Sequence, residues 1–282
     1  MVDNFKLIRD YIENKIIKSG TWKEGDCFYV QLLRRQADDP LINGQKDKKY
    51  HGNMHSRSIK DYLIKDLEHL DDVEEDIKTF CKEFNVRAYI RLNKRSYKKI
   101  TTKMLKHIAE QIDSGETYAS PYHLVASACG MANCAGKNKT WIVDLDKEYL
   151  PYEKDIIDMI CQCMPISKEI QEIYDKTNEH IHNFIGNPCG VSMEEIKNQY
   201  VKDNIFIVPT KSGKHIVCKP FNRDTFSRVP KEKDIKKAKK DGKEPKYGLW
   251  EKFCKSKGIE LKCMDIHKDN PVILYVPDCA YH

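Results

Sequence analysis

The stretch Thr140-Trp141-Ile142-Val143-Asp144-Leu145-Asp146 decides how this chain reads. An apolar run that ends in two acids predicts a short buried strand. Residues two apart on a strand point to the same face, so Asp144 and Asp146 project together. Two carboxylates held side by side repel when both are ionised, which suits them to a hard divalent cation. A strand that simply ends in polar residues would carry the same letters. The pair therefore gains its meaning from the rest of the chain.

Downstream, NIFIVPT (204–210) and HIVCKPF (215–221) read as two apolar strands joined by Lys211-Ser212-Gly213-Lys214, a hairpin. Gly213 permits a tight turn. Ser212, Lys211, Lys214, His215 and the turn's backbone N–H groups compose an anion cradle. A plain surface hairpin with solvated lysines is the alternative. With Asp144 and Asp146 on a neighbouring strand, the hairpin would face the acids across one small sheet. One element would hold a metal and the other the phosphates that the metal bridges, the equipment of a two-metal nucleotidyl transferase.

Working outward, residues 152–185 have helical period broken near Pro165, and 249–258 is a helix ending at Gly258. ELKCMDIH (260–267) and PVILYVP (271–277) are expected as the last strands. From residue 140 the order is strand, helices, strand, strand, helix, strand, which is the β-α-β-β-α-β order of a ferredoxin-like or RNA-recognition-type sheet plus an extra strand. Upstream, 5–17 reads as an amphipathic helix, 27–36 and 58–64 as strands, 37–56 as a loop, 68–84 as a helix, 86–93 as a strand and 96–112 as a basic helix. A Ser-, Gly- and Tyr-rich bridge (114–123) follows. The expected fold class is α+β: a small N-terminal unit over 1–115, and a second unit over 116–282 whose mixed or antiparallel sheet is flanked by helices.

The two motifs together resemble the archaeo-eukaryotic primase superfamily, over roughly residues 138–282. That family carries an hhhDhD/E motif, an sxH motif and a third motif with an acid after an apolar residue. TWIVDLD matches the first, and Ser212 to His215 match the second. The resemblance implies that Asp144 and Asp146 bind metal, and that Ser212 and His215 contact the phosphates of an incoming nucleotide. For the third acid, Asp265 follows Met264 in a strand-like run and fits best; Asp269 and Asp278 are the other candidates. The implied activity is a metal-dependent primase or primase-polymerase that uses Mg²⁺ or Mn²⁺, takes nucleoside triphosphates and works on a single-stranded DNA template. A non-catalytic single-strand-binding accessory protein, and a metal-dependent nuclease or phosphotransferase, are the competing readings.

Composition sets the frame. The chain has 282 residues, with 49 Lys plus Arg against 43 Asp plus Glu, so its formal charge is 49 − 43 = +6. Hydrophobic residues make up 40% and charged residues 33%, a globular mix. No apolar run approaches the roughly 20 residues of a membrane span, so no membrane partner is expected. The charged start MVDNFKLIRDYIENK does not read as a secretory signal. The 11 cysteines, an odd number, are expected to be reduced thiols in a cytoplasmic protein. Cys129 with Cys134 and Cys161 with Cys163 are the weaker zinc alternative. Charge is clustered: Arg91 to Lys106 holds bases and no acid, and Arg228 to Lys246 has nine bases against four acids, a local 9 − 4 = +5. Both segments are expected to track a nucleic-acid backbone. A phage or mobile-element replication gene with a helicase partner would suit such a chain.

Overall fold

The computed structural model describes residues 1–38, 56–115, 121–136, 139–185, 191–260, 262–269 and 271–278. The expected loop 37–56 falls largely outside them. By their contacts the residues divide into two units. The first is Met1–Thr140 with Val208–Lys211 and Asp269–His282, and the second is Trp141–Ile207 with Ser212–Lys268. The division thus departs from the expected 1–115 and 116–282: the boundary lies near Thr140, and the C-terminus belongs to the first unit.

The first unit begins with β1 (Val2–Asp3) and α1 (Phe5–Tyr11), which continues in wider turns through Ile17. Phe5, Ile8 and Ile12 are buried, as their helical spacing requires. Then come β2 (Asp26–Arg35), β3 (Ser56–Ile64), α2 (Leu67–Asp72), α3 (Glu74–Glu83), β4 (Arg87–Ser96) and α4 (Tyr97–Ser114). Gly115, at φ +67°, closes α4 in the left-handed conformation. The expected bridge after it is corrected in part: Pro121–Met131 forms a helix, α5. Its small side chains Ala128 and Cys129, with Ala132 just beyond it, pack with Cys27, Tyr29 and Ile100. Cys129 is thus core material.

The second unit contains β5 (Trp141–Asp146), α6 (Glu153–Cys163), α7 (Lys168–Ile185), α8 (Met193–Asp203) and the start of β6 (Phe206–Pro209), whose last two residues fall in the first unit. It continues through β7 (Gly213–Cys218), α9 (Arg223–Phe226), α10 (Glu232–Lys240), α11 (Leu249–Lys257) and β8 (Ile266–His267). The sheet order is β6-β7-β5-β8, with β5 antiparallel to both neighbours. Its strands follow the split β-α-β order read from the sequence. Of the long strand expected over 260–267, the two residues of β8 are the ones that form a strand among the described residues.

The extra strand is elsewhere. β9 (Val272–Val276) lies in the sheet of the first unit, ordered β1-β9-β4-β2-β3. It is antiparallel to β1 and β4, with Val2 opposite Val276 and Ile90 opposite Val272. All five β9 residues are buried. A strand apolar on both faces needs packed layers on both faces, and its place between β1 and β4 pairs both of its backbone edges. The chain is an α+β protein, and no helix among the described residues is long and apolar enough to cross a membrane.

Candidate functional site

The two faces of the second sheet differ in chemistry. Val143, Leu145, Ile216, Cys218, Met264 and Ile266 point to one side and join a core with Ile156, Ile160, Phe226 and Trp250. Alternation sends Asp144, Asp146, His215, Asp265 and His267 to the other side.

Register arranges that polar face. Asp144 lies opposite His215, and Asp146 opposite Gly213. On the other edge Val143 lies opposite Ile266 and Ile142 opposite His267. The next pair in that register is Asp144 with Asp265, and the Asp144 N–H donates to the Asp265 carbonyl at 3.0 Å. His215, Asp144 and Asp265 therefore form one row across three strands, and Asp146 stands one pleat along. Directly opposed residues carry their Cβ atoms about 5 Å apart. Gly213 is required for this packing. A Cβ there would run into the Leu145 carbonyl oxygen and come within 3.2 Å of the Asp146 Cα.

The electrostatics follow from the row. His215 has a side chain only 12% exposed, and its Nε2 lies 3.6 Å from Asp144 Oδ1. That is too long for a hydrogen bond. Burial, then the nearby charge of His267, push the His215 imidazole down to about 4, so it is neutral at pH 7. Its Nδ1 is buried with no hydrogen-bond partner among the described residues. The Asp146 carboxyl is raised above the ordinary carboxylate range, first by desolvation and then by the charges of Asp144, Glu148 and Asp265, with Lys262 opposing.

The structure thus places Asp144, Asp146, Asp265 and His215 on one face of the sheet, with Ser212 exposed just before β7. The two lysines of the expected cradle are engaged elsewhere. Lys214 alternates to the other face and its Nζ donates to Glu153 of α6 at 2.6 Å. Lys211 belongs to the first unit, where its Nζ donates to the buried Asp38 at 3.3 Å. The other third-acid candidates are also committed. Asp269 accepts from Arg95 at 2.8 Å and from Asn93 at 2.9 Å, and Asp278 pairs with the amino group of Met1.

The basic segment 91–106 is only partly a surface. Arg95 is fully buried, and Lys94 is buried and paired with Asp26. Arg91 is half-buried, while Lys98, Lys99 and Lys106 are exposed. In segment 228–246, α10 buries no residue. His267 and Glu148 were not singled out from the sequence. His267 stands two residues after Asp265 in a strand-like run, and that spacing is the signal that marks it.

Three carboxylates on one face are the donor chemistry of a hard cation. Among the described residues, no three His, Cys, Asp or Glu side chains are gathered into a group that could hold a metal ion. This applies to the acid row and to the cysteine pairs alike. Comparison with known protein families, with curated proteins and with solved structures returns no match.

Proposed function

We propose that the second unit is a metal-dependent nucleotidyltransferase of the primase-polymerase kind. The observation that carries this reading is the single row of His215, Asp144 and Asp265, with Asp146 beside it on the same face. Asp144, Asp146 and Asp265 would hold Mg²⁺ or Mn²⁺, which would offset the desolvation, and then the carboxylate repulsion, that raise Asp146. Their side chains must first turn toward a common ion, because they are not gathered around one now. When bound, the metal supplies positive charge to phosphate oxygens and to an attacking hydroxyl.

The protein's own groups do the rest. A neutral imidazole has one N–H donor and one acceptor nitrogen, so His215 can donate to a phosphate oxygen without a net charge. The Ser212 hydroxyl adds a second donor from the exposed turn. Lys211 and Lys214 are left out, since both are held by carboxylates. Substrates of this site would be nucleoside triphosphates, and the template a single strand of DNA.

The test is extension of a primed and an unprimed single-stranded template with ribo- and deoxynucleotides, in Mg²⁺ and in Mn²⁺. Wild-type protein is expected to give product, and Asp144→Asn with Asp146→Asn to lose it by a factor of about 100 or more. No product under any of these conditions, together with nucleotide binding unchanged in the double variant, would sink the assignment. The ungathered acids favour one second reading, a non-catalytic single-strand-binding module; it predicts strand binding that survives loss of both aspartates. Cleavage of the template in place of extension would identify a nuclease.

A further inference from the structure

A second polar feature of the same unit lies away from the acid row. A cleft of about 500 Å³ is lined by Asn222, Arg223, Asp224, Ser227, Arg228 and Lys268, with Val229. Three cations face one carboxylate there. Neither Arg223 nor Lys268 pairs with a carboxylate among the described residues, and Arg228 reaches Asp234 only at 3.9 Å. Like charges crowded around a cleft cost free energy unless an anion is received between them.

The cleft is built on fixed backbone. Glu251 is fully buried, and its carboxylate accepts from the Arg228 backbone N–H at 2.8 Å and from the Ser227 hydroxyl. The Gly248 N–H donates to the Arg228 carbonyl at 3.0 Å. A Cβ on Gly248 would collide with this same segment. On the other flank, the Asn222 N–H donates to the Cys163 carbonyl at 3.0 Å, and buried Phe226 anchors α9. Arg223 and Arg228 therefore project from a pinned frame while their guanidinium heads stay in solvent. Lys268 is set over the Trp141 ring, 5.5 Å from its centroid. Trp141 points to the helix-covered side of the sheet, as do Val143 and Leu145, so the cleft and the acid row do not share a face.

We infer that this cleft, formed by Arg223, Arg228 and Lys268, is a phosphate-backbone site for single-stranded nucleic acid, separate from the acid row. Guanidinium forks bind phosphate oxygens in a bidentate way. The exposed basic face of α10, which follows the cleft in sequence, adds positive potential that draws a polyanion in. For its ligand the inference rests on the nucleic-acid reading proposed above; it requires nothing of Asp144 or Asp146.

The test is fluorescence anisotropy of a labelled 20-nucleotide oligothymidine with the full chain, across a range of salt. The variant is Arg223→Gln with Arg228→Gln and Lys268→Gln, all at exposed side chains. The control is Lys6→Gln with Lys65→Gln and Lys82→Gln, exposed lysines outside both basic segments. The expected result is a loss of affinity of about ten-fold or more in the first variant only. The slope of log K against log salt should shallow by about two, from three phosphate contacts at roughly 0.7 each. Wild-type affinity in the first variant, absence of binding by wild-type protein, or equal loss in the control would each overturn the inference. Loss of ATP or inorganic triphosphate binding with oligonucleotide binding unchanged would also overturn it, and would mark a free-nucleotide site. If wild-type protein extends no template but its oligonucleotide binding depends on these three residues, the catalytic reading fails and the cleft stands.

Discussion

Asp144 on β5 and His215 on β7 are directly opposed in the sheet, with His215 Nε2 3.6 Å from Asp144 Oδ1. Because burial keeps the imidazole neutral at pH 7, the contact is not an ion pair. A strand register thus sets an acid and a neutral donor side by side, and Gly213 keeps that register tight.

Gly213→Ala tests the register. The added methyl meets the Leu145 carbonyl, and backbone cannot yield as a flexible side chain does. Overpacking of this kind costs about 1–3 kcal/mol. Urea denaturation should show a loss in that range. A change below about 0.5 kcal/mol would mean that β5 and β7 are not so closely packed.

The fate of Lys211 gives a second prediction. Asp38 is bound by Arg87, whose Nε donates to Oδ2 at 2.6 Å, and by Lys211. Burial acts to raise the Asp38 carboxyl, but the hydrogen bonds and charges of Arg87 and then Lys211 outweigh it and hold the group below its ordinary value. A carboxyl lowered in the folded state contributes stability that is present above about pH 4, the unfolded value, and is lost as pH falls through the folded one. Arg87→Ala leaves a buried carboxylate without its main partner and should cost about 3 kcal/mol at pH 7. It should also flatten the acid limb of a stability–pH curve. Lys211→Ala, half-exposed, should cost less than about 1 kcal/mol. Equal losses in the two variants would reject this ranking.

Much of this was legible in the residues. The two acids that end TWIVDLD stand two apart, so the shared face of Asp144 and Asp146 follows from strand geometry alone. The hairpin follows from two apolar runs around Ser212-Gly213. Other features had no local signal. VILYV (272–276) is apolar at every position, and such a strand does not say which sheet will take it. Arg91, Lys94 and Arg95 read as part of a basic run. The acid that turns Arg95 inward, Asp269, stands 174 residues away in sequence, and no spacing rule reaches that far. Lys214 is different: its neighbour His215 faces the acids, so alternation alone could have sent it to the other side.

Metal binding gives a third prediction. Millimolar Mn²⁺ should raise the melting temperature of wild-type protein, and EDTA should reverse the rise. A ligand at 100 times its Kd stabilises by about 2.7 kcal/mol. Asp144→Asn with Asp146→Asn should abolish the shift. Protons compete with metal for Asp146, whose carboxyl is raised, so the shift should shrink as pH is lowered. A shift that persists in the double variant would place the metal elsewhere.

The last prediction separates two acids only four residues apart. Asp265 is exposed and stands in the row with Asp144. Asp269 neutralises the fully buried guanidinium of Arg95, and its carbonyl accepts from Arg91. Arg91 is itself pulled below its ordinary value by burial and by the charge of Arg95, so Asp269 is the counter-charge for a crowded arginine pair. Asp269→Asn removes that charge while keeping the shape. Breaking a buried pair on one side costs about 3–5 kcal/mol, and denaturation should show a loss of that size. Asp265→Asn should leave stability within about 0.5 kcal/mol, as expected of an exposed side chain, and should weaken the Mn²⁺-dependent rise. If instead Asp265→Asn destabilises the fold and Asp269→Asn weakens metal binding, the roles assigned to these two carboxylates are reversed and the acid row is not the cation seat.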